Sequence, residues 1–304
     1  MALLRVARWT QHNLFALAKT ERKAQLLTIP YSHYCEAAAW ALAAGGVDHR
    51  EHGFAPGEHV LAALNLRLNG ETRHLSQTSR VDAMPRTPEE VGAPRPRPRT
   101  NATAVPAVAM PDGSVLIDSW AIFDEALGPS KTGPEFRALL DERVAPLVRQ
   151  RVYEILFRPD NKNVWDGLAC HDRGLVFRFC WTLASGNLTE GMRKLFRTDD
   201  AAAMALCLER LDSALDELDA FVSDKTSEYL GGAAPSADDL ALAAFLAPLA
   251  VPREYCRGVY ADLFDGLLAQ DAACRAEVDA VRARPSGQHA LMMYERHRLQ
   301  AWDR

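Results

Sequence analysis

The sequence predicts a small α/β domain followed by an all-α domain, on three observations. Between residues 24 and 55, one alanine-rich helical run is flanked by a short apolar run before it and a short alternating run after it. Two further apolar runs, "AVAM" and "SVLI", meet at Pro111-Asp112-Gly113, the chemistry of a tight hairpin turn. Beyond Gly128 the sustained apolar patterns all have the helical period.

Taken in order, residues 1–23 read as an N-terminal extension helix. The first 24 residues carry five Lys/Arg against one acid with apolar residues at helical spacing. An extra helix packed on the body is expected, with an organelle-targeting peptide as the alternative. "AQLLTI" is a buried strand, Cys35–Ala44 a helix stopped at Gly45-Gly46, and "DHREHGF" a second, parallel strand reached through that crossover. Residues 60–100 contain five prolines, including the run "RPRPR" at 95–99. They read as an insert with one short helix, Val60–Leu68, and a proline-rich tail. After the hairpin, Ser119 is the expected N-cap of a helix reaching Leu127. Helical segments follow over 134–157, 199–223, 236–249 and 272–299. The order is β-α-β, an insert, then β-β-α, with a boundary near 130: an α/β unit over 24–130 and an all-α unit over 131–304.

Composition narrows the function. Hydrophobic residues make up 48% of the 304 and charged residues 25%, ordinary for a globular chain. A net charge of -5 gives no basic field for nucleic acid, and no apolar run has the length of a membrane span. Six cysteines without ligand spacing read as reduced thiols of an intracellular protein. His49, His52, His59 and His74 share no firm element, so no metal is expected.

The strand order, with Ala104-Val105-Pro106 leading into the third apolar run, matches a thioredoxin-like domain. A proline at that place is often cis and presents the backbone of Val105 to a peptide-like ligand, although a trans proline opening a strand is the default. Four segments then resemble the glutathione S-transferase superfamily: "PYSHYCEAAAWAL", Val105-Pro106, Asp118-Ser119, and "YLGGAAPSADDLALAAFLAPL" with Ser236 and Asp239 at capping-box spacing. The ending "RARPSGQHALMMYERHR" is similar to that of a bacterial branch. Together they cover most of the chain outside the extension and the insert.

The resemblance implies glutathione as co-substrate, its thiolate attacking an electrophilic, apolar small molecule by conjugation, isomerisation, dehalogenation or ether cleavage. A free thiol near pKa 8.5 is mostly protonated at neutral pH, and lowering it by about two units takes roughly 2.7 kcal/mol. A hydroxyl hydrogen bond of about 1–2 kcal/mol and a helix N-terminus of about 0.5–1 kcal/mol nearly supply that. Serine-type members place their hydroxyl where Ser32 stands, three residues before Cys35. Ser32 is therefore the catalytic candidate; simple N-capping is its bland alternative. Tyr31 and Tyr34 are competing donors better suited to packing against ligand or core. Asp118 and Ser119 suit the γ-glutamyl end, and His59 the glycine end. Tyr153, Trp165, Phe177, Phe179 and Trp181 are candidates to line the second-substrate pocket.

Cys35 keeps a glutathione-dependent thiol reductase open, and a non-catalytic ligand- or partner-binding protein is the other alternative. The resemblance also implies a homodimer in detoxification, in the cytoplasm or, if the basic N-terminus targets, an organelle. Ala37, Ala38 and Ala39 stand where relatives carry basic residues, and the insert overruns the region that usually meets the glycine end.

Overall fold

The computed structural model describes residues 13–69, 71–75 and 103–298. Residues 1–12 of the extension and the 95–99 proline run lie outside them. Helix α1 (Leu14–Glu21) leads into β1 (Ala24–Thr28), α2 (His33–Ala44) and β2 (His49–Gly53), and β1 and β2 are parallel. Helix α2 begins two residues before the expected Cys35, because the turn ends at Ser32. Helix α3 (Val60–Asn69) falls where the insert's helix is expected, and strand β3 (Glu71–Leu75) follows it. β4 (Ala107–Ala109) and β5 (Ser114–Ile117) are antiparallel to each other, and β4 is antiparallel to β1. Asp112 accepts hydrogen bonds from the Ser114 N–H (2.8 Å) and hydroxyl (2.7 Å), closing the hairpin turn with Gly113 at φ 94°.

The sheet order is β2-β1-β4-β5-β3. The first four strands, with α2 and α4 (Ser119–Leu127), make a thioredoxin-like unit, and β3 adds a parallel fifth strand beside β5. Strand alternation divides the apolar side chains between two faces. Leu26, Val108 and Leu116 pack with α2 and α4, while Leu27, Ala107, Ala109, Val115 and Ile117 pack with Leu14 and Ala18 of α1 and Ala62, Ala63 and Leu66 of α3. The segment 14–21 is thus a structural helix on the sheet.

Gly45 matters by closeness: a Cβ there would lie 2.3 Å from the Ala126 carbonyl oxygen, so only glycine lets α2 meet the end of α4. The left-handed residue is Gly46, at φ 71°. The expected Ser119 cap is corrected. Asp118 is the N-cap of α4, its carboxylate accepting from the Trp120 N–H at 3.3 Å, and Ser119 is the first helical residue, fully buried.

Beyond 130 the described chain is helical. The expected 134–157 helix runs on through α5 (Pro134–Ala138), a π-helical stretch Leu139–Val144, and α6 (Ala145–Leu156), with helical backbone at both junctions. Pro146, which has no N–H to donate to the preceding turn, stands at that junction. Helices α7 (Lys162–Cys170), α8 (Leu175–Phe196), α9 (Ala201–Ser223), α10 (Ala237–Ala250) and α11 (Val259–Gln270) follow. The expected 272–299 helix breaks into α12 (Ala272–Ala283), α13 (Pro285–Met293) and a π turn Tyr294–Arg298, because Pro285 forces Arg284 into extended backbone.

All 14 residues of α10 are buried, as its all-round apolar sequence requires. Its two buried acids close the fold. Asp238 accepts from the N–H groups of Lys131 (2.7 Å) and Thr132 (2.8 Å), clamping the α4–α5 connection. Asp239 accepts from the Ser236 N–H (2.9 Å) and hydroxyl (2.6 Å), the Leu230 N–H (2.7 Å) and His289 Nε2 (2.9 Å). Burial would raise the Asp239 carboxyl, and these donors, led by His289, hold it below its ordinary value.

Helix α2 is buried from His33 to Leu42, and its one charged residue, Glu36, lies inside. Arg298 pairs with it at 2.8 Å, the two side chains 2% and 6% exposed, and the Tyr294 hydroxyl adds a donor at 3.3 Å. Arg298→Met leaves that carboxylate buried and unpaired. It should lower unfolding free energy in denaturant titration by about 3–5 kcal/mol, with partial recovery in the Glu36→Gln/Arg298→Met double variant.

Candidate active site

Three sequence candidates converge at one end of the sheet. Leu27, Ala107 and Ile117 lie opposite one another across β1, β4 and β5. The chain therefore leaves β1 toward Ser32, enters β4 from Val105-Pro106 and leaves β5 into Asp118-Ser119 at that same end. The Val105–Pro106 bond is cis, and the Pro106 carbonyl accepts from the Asp118 N–H at 3.3 Å. Asp118 takes φ 110°, outside the regions ordinary side chains adopt, and its carboxylate also accepts from the Ser119 hydroxyl at 3.3 Å. His59, which a loop position would leave solvated, is half-buried. Burial lowers its pKa against hydrogen bonds with the backbone of Ala55 and Thr103, tying it to the segment before Val105.

Ser32 occupies the N-cap position of α2 in extended backbone (φ -83°, ψ 120°), and its carbonyl accepts the first helical bond from the Glu36 N–H at 2.9 Å. Its side chain makes no capping bond and is half-buried. The turn is fixed from behind. The Tyr255 hydroxyl donates to the Tyr31 carbonyl at 2.8 Å and the Cys256 thiol to that of Pro30 at 3.0 Å. These donors sit on a turn in which Cys256, Arg257 and Gly258 all take positive φ (53°, 57° and 86°). Nothing in the sequence marks Tyr255 or Cys256, because their use depends on that backbone.

Both tyrosines of the turn are buried. The Tyr31 hydroxyl has no hydrogen-bond partner among the described residues, its ring stands edge-on to Trp165 at 5.6 Å, and burial raises its pKa well above normal. Tyr34 packs between His33 (4.2 Å) and Phe245 (5.3 Å). Cys35 is also buried and accepts from the Ile29 N–H at 3.3 Å. Burial pushes its thiol up to about 12, against the lowering effect of the Ile29 N–H and the Ser32 side chain.

Two cavities flank this turn. A niche of about 20 Å³ lies between Ser32 and α6, where Arg149, Val152, Tyr153 and Leu156 face it. A larger cavity of about 270 Å³ lies past the carboxyl ends of β1 and β2, lined by Thr28, Gly53, Phe54, Leu168, Arg173 and Cys256, with Tyr31 as the wall shared with the niche. Of the five aromatic candidates, Tyr153 lines the niche, Trp165 backs Tyr31, Trp181 is buried against Asp166, Phe177 stacks on Trp181 at 6.1 Å, and Phe179 is 66% exposed. Arg149 had no distinguishing signal in "PLVRQRVYEIL": Arg151, on the same helix, is spent on ion pairs with Glu154 and Glu277. Among the described residues no group of three or more His, Cys, Asp or Glu is placed to hold a metal, and no helix is long and apolar enough to cross a membrane.

No protein-family model matches the chain, and no curated protein matches it. Solved structures similar to it are glutathione S-transferases. One from Methylobacillus flagellatus KT, with glutathione bound, is 15% identical over 88% of this chain and 98% of its own, at a TM-score of 0.41. One from Xanthobacter autotrophicus Py2 is 21% identical over 87% and 95%, at 0.37. One from Ceriporiopsis subvermispora, in complex with glutathione, is 13% identical over 88% and 97%, at 0.46. The fold assignment rests on this chain's own topology.

The surroundings of Cys35 set a chemical test. A thiol raised to about 12 stays protonated at neutral pH and is a poor nucleophile. Native protein treated with iodoacetamide at pH 8 should leave Cys35 unmodified by peptide mass spectrometry, and unfolded protein should be alkylated there.

Proposed function

We propose that this chain is a glutathione-dependent transferase of the serine type. The observation that carries the reading is Ser32: it stands at the start of a buried helix, its side chain makes no capping bond, and the residue borders a niche. In this structure that hydroxyl acts on the Cys35 thiol, and turned toward the niche it donates to a thiolate sulfur, with the α2 N-terminus adding its partial positive charge. The sequence resemblance supplies the ligand, glutathione. Its cysteinyl backbone pairs with Val105, its ammonium meets Asp118, and its α-carboxylate meets the N–H groups opening α4. Ser119, buried and bonded to Asp118, acts by orienting that carboxylate. His59 is the basic group on the glycine side. The sulfur then bonds to the electrophile's carbon, and the leaving group departs with its electron pair.

The thiol-reductase alternative is disfavoured by the burial and raised pKa of Cys35. A second reading, a ligand-binding protein without chemistry, is favoured by the 270 Å³ cavity, large enough for a small molecule. Retention on immobilised glutathione and turnover on a panel of electrophiles separate the two. The homodimer belongs to the transferase reading.

Ser32→Ala should lower turnover at least about tenfold, roughly 1.4 kcal/mol of barrier, with melting unchanged. Steady-state kinetics on whichever electrophile is turned over measures this. Unchanged turnover removes Ser32 from the mechanism.

A further inference from the structure

Helix α6 carries a guanidinium that its neighbours leave unneutralised. Arg149 is wedged between two rings, its guanidinium carbon 4.9 Å from the Phe196 centroid and 5.5 Å from that of Tyr34. Its Nε and one Nη are buried and make no hydrogen bond among the described residues, none of whose carboxylates pairs with it. The rings fix its position, since a planar cation gains from aromatic faces.

Arg149 and Ser32 border the same niche, whose other walls include Val152, Leu156 and Pro248. Its 20 Å³ is room for about one water-sized atom. A cation against apolar walls is poorly solvated, so an anion beside it is held more strongly than in water. Space this small suits an anion whose charge sits on one atom better than a carboxylate, sulfate or phosphate group. A thiolate sulfur or a halide presents its whole charge on one atom.

We propose that the niche between Ser32 and Arg149 binds a single anionic atom and that, on the glutathione reading above, this atom is the thiolate sulfur. Ser32 donates from the α2 side and Arg149 from the α6 side. The thiol proton passes to solvent as the tripeptide binds. Arg149 thereby contributes a charge from the helical region to a sulfur that the sheet region positions.

Two measurements on wild type, Arg149→Lys and Arg149→Met test this. Methionine keeps an unbranched stem between the two rings and removes the charge. In crystals soaked with sodium bromide, an anomalous peak should lie between Ser32 and residue 149 in wild type and Arg149→Lys, and be absent from Arg149→Met. In ultraviolet titration of bound glutathione, Arg149→Met should raise the apparent ionisation point by about one pH unit, a tenfold loss of thiolate near neutrality, with glutathione still bound. Bromide in the niche of a wild type that binds no glutathione ends the transferase reading and supports the anion niche. An empty niche, or an unchanged ionisation point in Arg149→Met, overturns the proposal. If Arg149→Met does not fold, Arg149→Gln provides the same neutral comparison.

Discussion

The buried pair between Glu36 and Arg298 joins residues 262 apart and ties the last described turn to the first helix after β1. Glu36 stands one turn into α2, so whatever fixes it fixes the helix start and the Ser32 turn. Arg298 is committed on both sides, to the carboxylate and to the face of Trp40 at 5.6 Å, while Tyr294 donates to the same carboxylate. A buried ion pair adds little net stability over an apolar pair, but it tolerates only one geometry. Here that geometry seats the C-terminal π turn on α2.

The same burial accounts for Ala37, Ala38 and Ala39. Helix α2 has the sheet and α4 on one side and α10, itself buried all round, on the other. Side chains this small let the backbones approach, as the Gly45–Ala126 contact does at the helix end. Basic residues at those positions would be buried with no acid to meet them, since Glu36 already serves Arg298. Asp238 and Asp239 extend the logic: two buried carboxylates at the start of α10 collect the N–H groups of the incoming chain segments and leave few alternatives for how the helices dock.

Much of this was legible in the residues. β1 and the β4–β5 hairpin announce themselves by short apolar runs and turn chemistry, β2 by alternation after the crossover helix, and the Ser236–Asp239 capping box by spacing. β3 was hidden because "ETRHL" neither alternates cleanly nor carries β-branched bulk, and its pairing partner, β5, lies some forty residues on. The π-helical stretch before Pro146 and the helix break at Pro285 were masked by continuous apolar periodicity. Choosing Asp118 over Ser119 as cap required knowing which of two adjacent good caps turns inward. Of the site, the convergence of Ser32, Val105-Pro106 and Asp118 followed from topology. The role of Arg149 did not, because an unpaired cation is defined by what fails to surround it.

The fixed Ser32 turn is argued to stabilise a thiolate, and the ultraviolet absorbance of bound glutathione against pH tests that most directly. In the wild type the bound thiol should ionise about two units below the free thiol's value of about 8.5, and in Ser32→Ala return toward that value. Bound glutathione that ionises like the free tripeptide, or identically in both proteins, would contradict it.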